Sequence, residues 1–143
     1  MRFMMLMIPR VYQGGKDLPA DFSPGPEDVE RMTRYNEELT KAGALIALDG
    51  LQPPSKGARV SFKGGKPTVT DGPFAESKEV LGGFWMIKAK SKEEAVAWAR
   101  RVPAADGDVI EVRQVFEMSD FSPEAQKAAD SPSIKKQIEK HLH

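Results

Sequence analysis

Phe3-Met4-Met5-Leu6-Met7-Ile8 sets the fold of this chain, because it is apolar at every position and ends at Pro9. In an extended strand, successive side chains point to opposite faces. Phe3, Met5 and Met7 therefore share one face, and Met4, Leu6 and Ile8 the other. A strand that is apolar on both faces belongs in the middle of a sheet covered on both sides. Six residues are too few for a secretory apolar region or a membrane span, which need roughly seven to fifteen and about twenty residues respectively. No later stretch comes closer, and the expected location is the cytoplasm, without membrane association.

Downstream of this strand, residues 9–25 carry Pro9, Gly14, Gly15, Pro19, Pro24 and Gly25, a loop long enough to wall a pocket. Pro26 with Glu27, Asp28 and Glu30 marks a helix start, since Pro suits the first turn and acids favour its positive end. Val29, Met32, Tyr35, Leu39 and Ala42 recur at helical spacing, and Gly43 supplies the stop. A second apolar strand spans residues 44–51 and closes at Pro53-Pro54. Residues 58–70 alternate around Gly64-Gly65 as a hairpin. Residues 84–89 form another strand. Ser91-Lys92-Glu93-Glu94 is a capping box for a helix with Ala95, Trp98, Ala99 and Val102 on one face. Residues 108–117 form the last strand, with Ile110, Val112 and Phe116 alternating against Glu111 and Arg113.

The resulting order is that of a ferredoxin-like βαββαβ unit of the α+β class, with a hairpin inserted between its halves. Two helices cover one face of such a sheet. The two-sided first strand calls for a cover on the other, and a second copy of the chain is the economical one, so a homodimer with sheets face to face is expected. The domain is expected over residues 1–118. Residues 119–143 form a helical extension, opened by Ser122-Pro123-Glu124 and carrying Ile134, Ile138 and Leu142 at spacings of four. A helix that short must dock on the body or on a partner.

The 143 residues, of 15.8 kDa, contain no Cys, so disulfide frameworks, thiolate metal sites and Cys nucleophiles are excluded. Twenty-one basic residues balance 21 acidic ones, which gives no overall attraction to nucleic acid or anionic membranes. Both histidines, His141 and His143, lie in the last three residues, so a His base, His ligand or Ser–His pair is missing from the body of the domain. No EF-hand spacing appears among the acids, and neither metal nor cofactor is expected. Gly64-Gly65 and Gly82-Gly83 do not match a phosphate loop.

The densest polar stretch is Thr70-Asp71-Gly72-Pro73-Phe74-Ala75-Glu76-Ser77-Lys78-Glu79, running into Gly82-Gly83. Asp-Gly-Pro is a turn in which Asp accepts from backbone N–H groups and Gly tolerates positive φ. A carboxylate pair beside Lys78 can split its pKa values and act as acid and base, with Asp71 as base and Glu76 as its partner. The plainer reading is an Asp-capped turn with solvated charges. Asp49 at a strand end, Tyr12 on the long loop, Phe74 and Lys78 are the candidate ligand contacts. Asp49 has an equal claim as a strand-end turn former, and Tyr12 as a packing residue. Trp85 and Trp98 read as core.

The same stretch, followed by Leu81-Gly82-Gly83-Phe84, resembles the signature of the YCII-related proteins called the DGPF-domain family. The flanks agree: Leu51-Gln52-Pro53-Pro54, Glu94-Ala95-Val96-Ala97-Trp98-Ala99 and Ile110-Glu111-Val112-Arg113. The resemblance covers roughly residues 1–118. It implies a dimeric α+β barrel, an architecture shared by isomerases, monooxygenases, dehalogenating enzymes and many members without an assigned substrate. YCII-like proteins proper are thought to use a His–Asp pair, and this chain has no His to supply it. Members of the DGPF group are often encoded beside extracytoplasmic-function sigma factors, or resemble domains attached to them. Three functions are thus open: binding of a small molecule in a cleft between sheet and long loop, cofactor-independent carboxylate chemistry of an isomerase-like or hydrolytic kind in the same cleft, and a regulatory module linked to a sigma factor.

Overall fold

The computed structural model describes residues 1–15, 23–74 and 79–142. Among them, strand β1 (Arg2–Ile8) leads through a 3-10 turn at Arg10–Gly15 to helix α1 (Pro26–Lys41) and strand β2 (Leu45–Gly50). A hairpin of β3 (Ala58–Lys63) and β4 (Lys66–Asp71) follows, then β5 (Gly83–Lys88), α2 (Lys92–Ala99) and β6 (Val109–Gln114). Helices α3 (Pro123–Ala129) and α4 (Pro132–Leu142) end the chain. No described helix is long and apolar enough to cross a membrane.

The main sheet runs β2-β5-β1-β6, with every neighbouring pair antiparallel. With the hairpin set aside, this is the strand order of a ferredoxin-like α+β fold. Among the described residues this sheet is open and closes no barrel.

The alternation of β1 divides the molecule. Phe3 and Met5 are buried, and Met7 packs on the same core. Trp85 and Ile87 of β5 join them, with Tyr35 and Leu39 of α1, Ala95 of α2 and Val102 just beyond it. Both helices of the βαββαβ unit thus supply one core on one face of the sheet. Tyr35 sits edge-on to Trp85 and Trp98, at centroid separations of 5.9 and 6.4 Å, and its hydroxyl donates to the Trp98 carbonyl at 2.8 Å. Met4 and Leu6 on the other face of β1, and Phe84 and Met86 beside them on β5, are only partly buried. The two-sided apolar strand is therefore covered along one side within a single chain, and on the other only at its end, where Ile8 is buried.

Local signals place the ends. Pro26 opens α1 with Glu27 and Asp28 in its first turn, and Gly43 ends it at φ 68°. The Ser91 hydroxyl accepts from the Glu94 N–H, capping α2, while the Glu94 carboxylate accepts from the Lys90 N–H at 2.8 Å, one residue earlier than a capping box requires. The last strand stops at Gln114. Phe116, read from the sequence as inward-facing, lies outside the strand, is 72% exposed and stacks on Phe121 at 5.2 Å. After Gln114 the Val115 N–H still reaches the Arg2 carbonyl, but a 3-10 turn at Met118–Asp120 redirects the chain and takes Phe116 out of the alternation.

Candidate functional site

Two cavities meet at the end of the sheet where β1 and β2 finish and β5 begins. The first, of about 340 Å³, lies between α1 and the sheet. Met7, Val29, Met32, Leu48 and Trp85 give it apolar walls, and Asp28, Thr33, Asn36 and Asp49 are its polar neighbours. The second, of about 400 Å³, is bounded by Pro9, Val11 and Tyr12 on one side and Leu51, Gln52 and Pro53 on the other. Pro24, Gly50 and Gly82 border both.

The strand pairing explains why these residues gather here. Gly50 pairs with Gly83, Asp49 with Phe84 and Leu48 with Trp85. Leu48 and Trp85 therefore face the helices, and Asp49 and Phe84 the opposite side. Side chains are absent where the backbones crowd. A Cβ on Gly83 would lie 2.9 Å from the Asp49 carbonyl oxygen, and one on Gly82 would lie 2.4 Å from Cγ of Pro9. The Gly82-Gly83 pair lets β1, β2 and the turn after β1 converge around the cavities.

Several polar groups at the first cavity already have partners. The Trp85 indole donates to Asn36 Oδ1 at 2.8 Å, which holds the ring against α1. The Thr33 hydroxyl bonds back to the Val29 carbonyl, and Asp28 pairs with Arg31. Tyr12 is buried, its N–H reaches the Pro9 carbonyl, and burial raises its phenol pKa above the usual value. Trp85 and Asn36 were read from the sequence, respectively, as core and not at all as site residues. The Asn36 signal is its position one turn beyond Met32 on α1, next to the buried Tyr35.

The candidate residues separate in space. Asp49 borders the first cavity and Tyr12 the second. Asp71 closes β4 opposite Ala58, and Phe74 lies beneath the Arg59 guanidinium, 4.1 Å from its centroid; neither lines either cavity. Glu76 and Lys78 lie outside the described residues. The Asp-Gly-Pro turn joins the hairpin to the body: the Gly72 N–H donates to the Gly57 carbonyl, and the Gly72–Pro73 peptide is cis. Gly72 is needed for space rather than for a positive φ, since a Cβ there would stand 1.8 Å from the Pro54 carbonyl oxygen.

The model of the YCII-related domain matches residues 1–119 of the 143. This chain belongs to the YCII-related domain family. It is also similar to an uncharacterized protein of Rhizobium meliloti (strain 1021), at 36% identity over 84 residues, which are 56% of this chain and 68% of that one. Within this YCII-related domain, the polar stretch at residues 70–79 begins as the anchor of a hairpin, and the open cavities lie on the far side of Pro53-Pro54.

Proposed function

We propose that this YCII-related protein binds a small, mainly apolar molecule in the cavity beside α1, and that it does so as a homodimer. The cavity carries the reading. Its volume of about 340 Å³ falls in the range that holds small ligands, roughly 300–1,000 Å³. Methionine, valine, leucine and tryptophan surfaces supply contact area, and two methionines let the walls adapt to varied shapes. Asn36 on the α1 wall gives an incoming molecule a polar end to orient against.

The dimer is supported by the face of the sheet opposite the helices. Met4, Leu6, Phe84 and Met86 form an apolar band there that only a second layer can shelter. Two such sheets laid together make the shared barrel, and Asp49 then faces the space between them. A catalytic reading has less support, because Asp71 is exposed on the hairpin and lines neither cavity.

Trp85 sits in the wall and reports occupancy. Titrating small aromatic and aliphatic carboxylic acids into the protein should shift or quench its emission saturably, and the Met32→Trp variant, which fills the cavity, should lose that response while staying folded. Mass spectrometry of the gently purified protein should find a retained metabolite that Met32→Trp lacks. A wild type that carries nothing and shows no saturable change across the panel would overturn the binding reading.

A further inference from the structure

The β3–β4 hairpin stands away from the body: every residue in both strands is exposed. Its two faces nevertheless differ. Val60 pairs with Val69 and Phe62 with Pro67, so these four side chains share one face. Arg59, Ser61, Lys63, Lys66, Thr68 and Thr70 occupy the other, with Lys63 and Lys66 flanking the Gly64-Gly65 turn at the tip. Phe62 is 75% exposed and Val69 65%. A two-stranded hairpin alone is marginal in water, and an amphipathic one with its apolar face unused implies a partner surface.

A matching surface lies on the same chain just after β6. Phe116 and Phe121 form an exposed stacked pair beside Met118. Around them stand Glu117, Asp120 and Glu124, and residues 116–124 carry no positive charge. Glu117 pairs with Arg2, and Asp120 accepts from the Glu117 N–H. Apolar centre meets apolar centre, and a basic tip meets an acidic rim.

The topology says which copy supplies each half. The hairpin follows β2, at one edge of the sheet and at the end where Gly50 pairs with Gly83. Residues 116–124 follow β6, at the other edge and at the opposite end, where Gln114 pairs with Phe3. They leave from diagonally opposite corners. A two-fold axis that stacks two sheets with strands crossed near a right angle superposes those corners, one from each copy. We propose that the apolar face of the β3–β4 hairpin clasps residues 116–124 of a second copy of this chain, the long side chains of Lys63 and Lys66 reaching round the tip from the other face to its acidic residues, the contact being made twice per dimer. This inference rests on the dimer proposed above.

Nitrogen-15-labelled and unlabelled full-length protein, mixed and allowed to exchange, is treated with a zero-length carbodiimide crosslinker and analysed by mass spectrometry, with sedimentation run in parallel. Links joining Lys63 or Lys66 to an acid at 117–124, with one labelled and one unlabelled half, are the expected result. Lys66→Glu should weaken the dimer about five- to tenfold, and the double variant Lys66→Glu/Glu124→Lys should restore it. A dimer whose hairpin lysines give no such links, or link only within one subunit, overturns the clasp and leaves the dimer standing. A double variant no tighter than Lys66→Glu also overturns the clasp. A single subunit by sedimentation removes both proposals.

Discussion

Tyr35 shows how much one buried side chain can do here. Its ring bridges the two tryptophans, its hydroxyl ties α1 to the end of α2, and burial pushes its phenol up to about 12. An unfolded tyrosine titrates near 10. The folded chain therefore holds its proton more tightly, so the contribution is fully present below pH 10 and is lost as pH rises from about 10 to about 12. Tyr12, the other tyrosine of the chain, is shifted in the same direction by burial. Absorbance at alkaline pH should show phenolate forming at higher pH in the folded protein than in the unfolded chain, and denaturant midpoints should fall more steeply above pH 10 in the wild type than in Tyr35→Phe. Equal slopes would mean that the Tyr35 environment is not what the packing implies. Gly72 carries a different lesson, since its backbone passes too near the Pro54 carbonyl for any Cβ. A sequence reports that glycine is present, and only the folded chain reports that the reason is crowding.

At the scale of elements, caps and periodicity were the readable part. Ser91 caps α2 through the Glu94 N–H, as its spacing implies, and Ser122 caps α3 through the Ala125 N–H. Ser91→Ala should cost about 0.5 to 2 kcal/mol by urea unfolding, and Ser91→Asp should recover most of it. The hairpin was legible because Gly64 and Gly65 both take positive φ, at 60° and 78°, the conformation that tight antiparallel turns demand. The end of β6 was not legible. Alternation through Phe116 continues in the sequence, but the turn held by Asp120 on the Glu117 N–H interrupts the strand, a competition between side chain and ladder that no hydrophobic pattern records. The candidate site was half legible for a similar reason. Asp49 and Tyr12 lie at the cavities, whereas the cavity wall of α1 is written in Val29, Met32 and Asn36, residues whose helical spacing also describes ordinary core. Asp71 and Phe74 stand in the densest polar stretch of the sequence, yet within the folded chain they serve the hairpin base.

At the scale of the whole molecule, the physical problem is the sheet face that the helices leave uncovered. Met4 lies in the middle of β1 on that face, between Met86 on β5 and Arg113 on β6. A glutamate there separates folding from assembly. Within one protomer it stays at a partly exposed position and gains Arg113 as a cross-strand neighbour, so the fold should hold. In the proposed dimer it becomes a charge taken out of water between two sheets, opposite the apolar band of the second copy. Met4→Glu should therefore leave the urea midpoint of the separated subunit close to that of wild type while raising the dimer dissociation constant at least about a hundredfold, equivalent to roughly 3 kcal/mol. Sedimentation across micromolar concentrations would read this directly. A Met4→Glu protein that associates as tightly as wild type would place the interface elsewhere on the molecule. The apolar band of Met4, Leu6, Phe84 and Met86 would then need another cover, and Asp49 would face solvent instead of a shared interior.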